Sequence, residues 1–281
     1  MLINKNKGSA ILSALFIMTL VAITTTTLTL QLKNNIDTTR LLLNTQKLQL
    51  DGAITRFWAM NFLSHPEENH FGHTPGQSSY IQKNSRFSVE LIDLNAKFNL
   101  NNLKITTSKT TFYRLAKHLL EDESNKKAYP ITAALTYYIK TTPMVSLSEC
   151  RLVPDIDPAD LKLLMPYLTA LPAETQVNIN TAPEELLMAM AAGKDTVQYM
   201  EKLISARGKN GIDSINADIK AILNKLSIKP DDVTTESAYF LSIGQIKQEN
   251  QIRMIYSLLH RVKNKDNTYT VDLVHETWNT D

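Results

Sequence analysis

Three histidines stand close together in a polar, turn-rich segment, residues 64–82. The segment holds three imidazole and two carboxylate side chains: His65, His70, His73, Glu67 and Glu68. Both groups are ligands that zinc prefers, so a metal site is one interpretation. We favour a solvated loop, because no regular helix or strand fixes the spacing of these side chains.

Three aspartates form a second acidic group at Asp155, Asp157 and Asp160. Carboxylates at this spacing could be interpreted as a calcium cluster. The order Asp157, Pro158, Asp160 also fits a helix start, with a capping residue, a proline in the first helical position and a carboxylate in the first turn. We therefore predict that these aspartates cap a helix, and we commit to no metal ligands.

The sequence lacks the motifs of common catalytic and nucleotide-binding sites. It contains no G-x-S-x-G elbow, Walker loop, G-x-G-x-x-G or H-E-x-x-H. The 30 basic and 28 acidic residues almost balance, so the charge does not favour a phosphate-rich partner. The single cysteine, Cys150, cannot form an intrachain disulfide. We predict a protein that is not an enzyme and has no nucleic-acid partner.

The N-terminal apolar run is the element on which the other segments are organised. No ionisable side chain occurs between Lys7 and Lys33, and about 20 apolar residues suffice for a helix to cross a bilayer. A short leader with Lys5 and Lys7 ends at Gly8, and no small-residue cleavage site closes the run as in a secretory signal. We predict a retained membrane-spanning helix with its leader on the cytoplasmic side.

The helical pattern continues beyond the apolar run. Four apolar residues recur every seven positions: Ile36, Leu43, Leu50 and Phe57. Because no proline occurs before Pro66, we predict one helix from about Ser9 to about Leu63, roughly 80 Å long. We expect this stripe to pack within its own domain and against partner helices. Burial against its own sheet alone remains an alternative for Leu50 and Phe57.

The period of the apolar pattern changes twice along the rest of the chain. Alternation predicts a strand over 87–92 that turns at 93–96 into a short return strand, 97–100. Helical spacing then predicts six helices within 104–229, and Thr181 and Glu184 are predicted to form a capping box there.

Alternation returns after residue 230 and predicts three antiparallel strands. In the first of them Tyr239, Leu241 and Ile243 form the apolar side, between Ser242 and Gly244. The fold class predicted is α+β: a long N-terminal helix packed on an antiparallel sheet, with a large all-helical insertion.

The N-terminus resembles the type IV pilin and pseudopilin family, in which a prepilin peptidase cuts after the glycine. The resemblance implies cleavage between Gly8 and Ser9, with Ser9 N-methylated. Most members carry Glu at the fifth mature position, which is Ser13 here. That Glu is thought to meet a neighbouring subunit's amine inside the membrane, so a subunit without it is unsuited to the middle of a filament. The minor pseudopilin K family of type II secretion typically lacks it.

Three further blocks resemble the same K family. Residues 89–103 resemble its D-L-x-G-x-F-N-L-N-x-L signature, 177–182 its V-N-I-N-T-A words, and 233–241 its V-T-S-x-Y-F entry into the sheet. The words at 177–182 also open helix-hairpin-helix modules, some of which bind DNA. Such modules usually place two glycines in the hairpin, whereas this chain offers only Gly193 there, followed by Lys194 and the acidic Asp195.

The resemblance implies a pilin-like fold and a place at the tip of the type II secretion pseudopilus. It would assemble there with minor pseudopilins I and J above the major pseudopilin, for export of folded proteins across the outer membrane. Some family members bind calcium, so calcium is possible. The alternatives are a membrane-anchored helix-hairpin-helix protein that binds DNA, and a type IV pilus tip adhesin.

The domains predicted from the residues and the resemblance together follow the chain. The anchor would lie in the bacterial inner membrane and the globular part in the periplasm. The segments are the prepilin leader 1–8, the transmembrane half-helix 9–32, the first part of the pilin-like domain 33–103, the SAM-like or helix-hairpin-helix-like insertion 104–229, and the C-terminal strands 230–281.

Overall fold

The structure is a computed structural model of the chain. The described residues are 6–84, 87–121, 124, 126–193, 195–248 and 251–279. They divide into two units, Met1–Ala53 and Ile54–Asp281. Helix α1 (Asn6–Leu63) begins in the first unit and ends in the second, as the apolar run and the absence of proline predict.

The described part of the first unit, residues 6–53, is helix α1 throughout. From Ser9 it is long and apolar enough to cross a membrane, judged by length and composition. Its threonines bond back to carbonyls one turn earlier; the Thr25 and Thr26 hydroxyls donate to the carbonyls of Val21 and Ala22 at 2.7 and 2.8 Å. Such bonds satisfy each hydroxyl within the helix, so a threonine-rich run remains compatible with a lipid environment.

The second unit contains the remaining helices and all strands of the described residues. Its helices are α2 (Pro66–Asn69), α3 (Thr106–Leu119), α4 (Ala128–Thr141), α5 (Pro158–Leu164), α6 (Glu184–Met190), α7 (Thr196–Arg207) and α8 (Ala217–Lys225). Its strands are β1 (Ser79–Lys83), β2 (Phe87–Asp93), β3 (Phe98–Asn99), β4 (Leu168–Thr169), β5 (Val177–Asn178), β6 (Val233–Thr234), β7 (Tyr239–Gln248), β8 (Gln251–Lys263) and β9 (Tyr269–Asn279).

The main sheet is antiparallel, with strand order β1-β2-β7-β8-β9. The three predicted C-terminal strands are confirmed, but the predicted hairpin of β2 with residues 97–100 is wrong. Strand β2 pairs with β1 and β7, which leaves no free edge for a return strand. Strand β3 instead pairs in parallel with β4. Strand β1 falls in the segment that was predicted to be loop.

The apolar side predicted for β7 is also wrong. Phe240, Ser242 and Gly244 are buried. Tyr239, Leu241 and Ile243 are only half-buried. A Cβ atom added at Gly244 would lie 2.7 Å from the Thr55 hydroxyl oxygen on α1. At Gly244 the helix therefore approaches the sheet so closely that a larger side chain does not fit.

We expect Gly244→Ala to lower the free energy of unfolding of the full chain in detergent by about 1–3 kcal/mol. The added methyl group would also lie 2.6 Å from Cγ2 of Ile255, so the helix or strand β8 must move. Chemical denaturation measures the change. Gln245→Ala, at the exposed neighbour in the same strand, is the matched control, and equal midpoints for the two variants would contradict this packing.

All six predicted helices of the segment 104–229 are confirmed, as α3 to α8. The segment is not entirely helical, however, because it contains β4 and β5, and β5 pairs in parallel with β6. Its core is larger than the one between α1 and the sheet. Fully buried side chains of this core include Phe112, Leu135, Leu164, Leu187 and Leu223, with Leu103 just before the segment.

Candidate assembly surface and processing site

The predicted processing site lies near the start of α1. Gly8 and Ser9 are both helical, and Ser9 is exposed. The Ser13 hydroxyl donates to the carbonyl oxygen of Ser9 at 2.9 Å. Ser13 is therefore satisfied within its own helix and, being uncharged, provides no counter-ion for a neighbouring amine.

The four residues of the predicted stripe are exposed. In the first unit Ile36, Leu43 and Leu50 expose 51%, 59% and 62% of their surface. In the second unit Phe57 exposes 64%. Large apolar side chains left open to solvent at regular helical spacing are typical of a surface that another helix covers.

The sheet in the second unit is contacted by a different side of α1. Thr55, Ala59 and Leu63 are buried at intervals of four residues. Phe57 lies two residues from both Thr55 and Ala59, which is about 200° around a helix. Phe57 therefore points away from the sheet, and burial against its own sheet, the alternative left open for this residue, is wrong.

An ion pair fixes the rotation of this end of α1 over the sheet. Arg56 Nη1 lies 2.6 and 2.8 Å from the two carboxylate oxygens of Glu276 on β9. The Ser257 hydroxyl donates to the same carboxylate at 3.0 Å. The Arg56 guanidinium also lies 5.6 Å from the ring centroid of Phe57. Together these contacts hold Phe57 on the outer side of the helix.

The sequence blocks that resemble the K family come together around one buried carboxylate. The Thr181 and Ser237 hydroxyls each donate to Asp93 Oδ2 at 2.6 Å. The backbone N–H of Asn95 donates to Oδ1 at 2.9 Å. Burial raises the pKa of the Asp93 carboxyl, against the opposing effect of the hydrogen bonds from Ser237 and Thr181.

Asparagine side chains complete this buried network. Asn95 accepts from the backbone N–H groups of Ala238 and Tyr239 at 3.0 and 2.9 Å. Asn178 donates to the Ser237 hydroxyl at 2.7 Å. Where the chain leaves regular secondary structure, these short amide side chains form the hydrogen bonds that backbone groups would otherwise form with each other. The network therefore connects the sheet to the helical segment.

The residues at 177–182 therefore have a structural role in this chain. Asn178 and Asn180 are fully buried, and Asn180 donates to the carbonyl of Ile212 at 3.0 Å. The predicted capping box at Thr181 and Glu184 is wrong: α6 has Pro183 at its N-cap and no side-chain cap, and the Thr181 hydroxyl lies against Asp93, to which it donates.

The histidine and aspartate groups do not converge. His65 contacts the carbonyl of Asn61 at 2.9 Å, whereas His73 contacts the carbonyl of Thr235 at 3.2 Å. Asp157 caps α5, as predicted, and Asp160 pairs with Lys127 at 2.8 Å. Within the described ranges, no group of three or more His, Cys, Asp or Glu side chains is arranged to hold a metal ion. We assign no ligands to calcium.

Sequence reasoning missed the small-residue side of α1 and the buried Arg261. Arg261 donates to the carbonyl of Ser237 at 2.8 Å and lies 4.7 Å from the ring centroid of Phe240. Two signals were available. Thr55 and Ala59 share helical spacing with Leu63, and Arg261 shares its side of β8 with the buried Leu259.

Part of the chain is similar to known proteins of type II secretion. Residues 177–238 match the family model described as "Type II secretion system (T2SS), protein K". The type II secretion system protein K of Pseudomonas aeruginosa is 32% identical over 119 residues, which cover 42% of this chain and 34% of that protein. The chain is thus similar to type II secretion system protein K over part of its length. The aligned region spans about a third of the length of that relative.

A solved structure also shares this α+β fold. The match is a chain in the crystal structure of the GspK-GspI-GspJ complex from the enterotoxigenic Escherichia coli type 2 secretion system. The TM-score is 0.64 at 17% identity, and the match covers 86% of this chain and 99% of that chain. This likeness confirms the α+β fold with its long N-terminal helix.

Proposed function

We propose that this chain is a minor pseudopilin of the protein K family that caps the pseudopilus of a type II secretion system at its tip. In this role it assembles with minor pseudopilins I and J and, through them, with the major pseudopilin. Residues 9–32 anchor it in the inner membrane with the globular part in the periplasm. The role is structural, in the export of folded proteins across the outer membrane, and requires no catalytic group.

The observation that carries this proposal is the outward position of Phe57. A helix that packs one side on its own sheet and leaves an aromatic residue on the opposite side is suited to bundle with neighbouring helices. The exposed Ile36, Leu43 and Leu50 provide apolar positions for the same purpose along the helix.

Ser13 supports an end position in the filament. A carboxylate at this depth would pair with the amine of the next subunit and so offset the cost of two charges in the membrane. The Ser13 hydroxyl offers no such charge and is already bonded to the Ser9 carbonyl. The subunit therefore cannot form this ion pair with a neighbouring subunit. This is expected of the first subunit in the filament.

Co-purification tests the proposal. The tagged full chain is co-expressed with minor pseudopilins I and J and the major pseudopilin, and is extracted in mild detergent. We expect I and J to co-purify with the chain, and the major pseudopilin to be retained only when they are present. Retention of the major pseudopilin alone, or of none of the three, would contradict the proposed role.

The proposed processing makes a separate prediction at Gly8. We expect Gly8→Leu to abolish cleavage by prepilin peptidase, because the side chain occupies the space that glycine leaves open next to the scissile bond. Intact mass should show a chain that begins at methylated Ser9 for the wild type and at Met1 for the variant. Asn6→Gln is the control and should be processed normally. Cleavage of Gly8→Leu at the same bond would contradict the assignment.

A further inference from the structure

Two cationic side chains line one cavity of the second unit, and neither forms a salt bridge with another described residue. The cavity has a volume of about 450 Å³ and lies between the turn after β2 and helices α6 and α7. Lys97 and Arg207 share its wall with Tyr167, Thr181 and Glu184. Thr181 also belongs to the Asp93 network through its hydroxyl, whereas Lys97 and Arg207 take part in none of the contacts described so far.

Arg207 is buried with most of its donors unused. Only 8% of its surface is exposed, and its Nη2 donates to the carbonyl of Ala182 at 3.2 Å. Its Nε is buried and has no hydrogen-bond partner among the described residues. Burial lowers the pKa of Arg207 to about 10, although the charge of Glu184 acts in the opposite direction. A guanidinium in this state is costly unless an acceptor reaches it.

Lys97 adds a second cation to the same wall. It is half-buried, and burial lowers the pKa of its ammonium group, with the charge of Glu90 opposing that effect. No salt bridge of the described residues includes Lys97 or Arg207. Glu184 therefore lies beyond salt-bridge distance from Arg207. In the wall of the cavity the two cations outnumber the one carboxylate.

We propose that this cavity binds a carboxylate group, held between the Arg207 guanidinium and the Lys97 ammonium. The Nε–H of an arginine and the adjacent Nη–H point in parallel and match the two oxygens of a carboxylate. The carboxylate belongs either to a polypeptide that docks on this face or to a small free acid. The site does not depend on the assembly role of α1.

Saturation-transfer NMR on the full chain in detergent tests the site with three probes. The probes are acetate, acetyl-trialanine with a free C-terminal carboxylate, and the same peptide as its C-terminal amide. We expect the free-acid peptide to bind at least tenfold more tightly than the amide. If acetate binds as tightly as the free-acid peptide, the natural source is a small acid; if the peptide binds more tightly, it is a polypeptide.

Lys97 is chosen for substitution because it is only half-buried, whereas replacing the buried Arg207 would disturb the core. We expect Lys97→Gln to weaken binding of the free-acid peptide roughly tenfold, the loss typical of a charge-assisted hydrogen bond, with an unchanged unfolding midpoint. Lys220→Gln, at an exposed lysine on α8, is the matched control and should bind as the wild type does. Absence of carboxylate binding to the wild type, or equal binding by Lys97→Gln, would overturn the proposal.

Discussion

Replacing Asp93 by alanine is expected to lower the free energy of unfolding by about 3–5 kcal/mol. The substitution removes the acceptor of the Thr181 and Ser237 hydroxyls and of the Asn95 N–H at one time. Each donor is buried and cannot turn to water. The loss is a large fraction of the stability of an ordinary domain, so the connection between sheet and helical segment should weaken first.

Chemical denaturation of the full chain in detergent, followed by tryptophan fluorescence, measures this effect. Asp272→Ala is the matched control, because Asp272 lies on the same sheet but is exposed on β9. We expect its effect to stay within about 0.5 kcal/mol. Similar losses for the two variants would show that the Asp93 network does not hold the segments together.

The pH dependence of stability gives a second measurement on Asp93. Burial raises its pKa in the folded state above the ordinary value of 3.8. The folded protein therefore holds this proton more tightly, and the contribution of the protonated group to stability is lost as the pH rises from 3.8 through the raised pKa. We expect the stability of the wild type relative to Asp93→Asn to fall over that interval. A rise would contradict the raised pKa.

Replacing Phe57 by serine is expected to disrupt assembly without unfolding the protein. The ring is 64% exposed in the isolated chain, so its loss costs the fold little beyond the contact with Arg56. An aromatic anchor at the centre of an interface typically contributes about 2 kcal/mol, or roughly 30-fold in affinity. We expect minor pseudopilins I and J to be lost from the purified complex, and protein secretion to fall by a similar factor.

Val197→Ser is the matched control for Phe57→Ser. Val197 on α7 is 65% exposed, so the two substitutions each remove an apolar side chain of similar fractional exposure, at different places. We expect normal assembly and secretion for Val197→Ser and unchanged unfolding midpoints for both variants. Normal secretion by Phe57→Ser would remove Phe57 from the proposed interface.

Periodicity was sufficient to predict the parts of this fold in which one side of an element is buried. The recurrence of Leu115 with Leu119, and of Ile131 with Leu135, reflects helices that pack on a single core. The C-terminal strands were found for the same reason. The buried side of β7 was not predicted, because the small residue at Gly244 is required by the close approach of Thr55 on α1, which the sequence of β7 alone does not reveal.

The buried polar network lay beyond prediction for a related reason. Asp93, Asn178 and Ser237 are far apart along the chain, and each alone fits a turn or a cap. The Thr181 hydroxyl was expected to accept a backbone N–H at the start of α6, but in the folded chain it donates to the buried Asp93 carboxylate. Local propensity was overruled by a tertiary contact that only the folded chain reveals.

Photo-crosslinking from position 57 tests most directly whether the outer side of α1 is an assembly surface. A p-benzoylphenylalanine replaces Phe57 in the full chain, within cells that express the complete secretion system, and a second variant carries it at Val197. The account predicts crosslinks to minor pseudopilin I or J from position 57 only. Crosslinks to neither protein, or equal crosslinks from both positions, would contradict it.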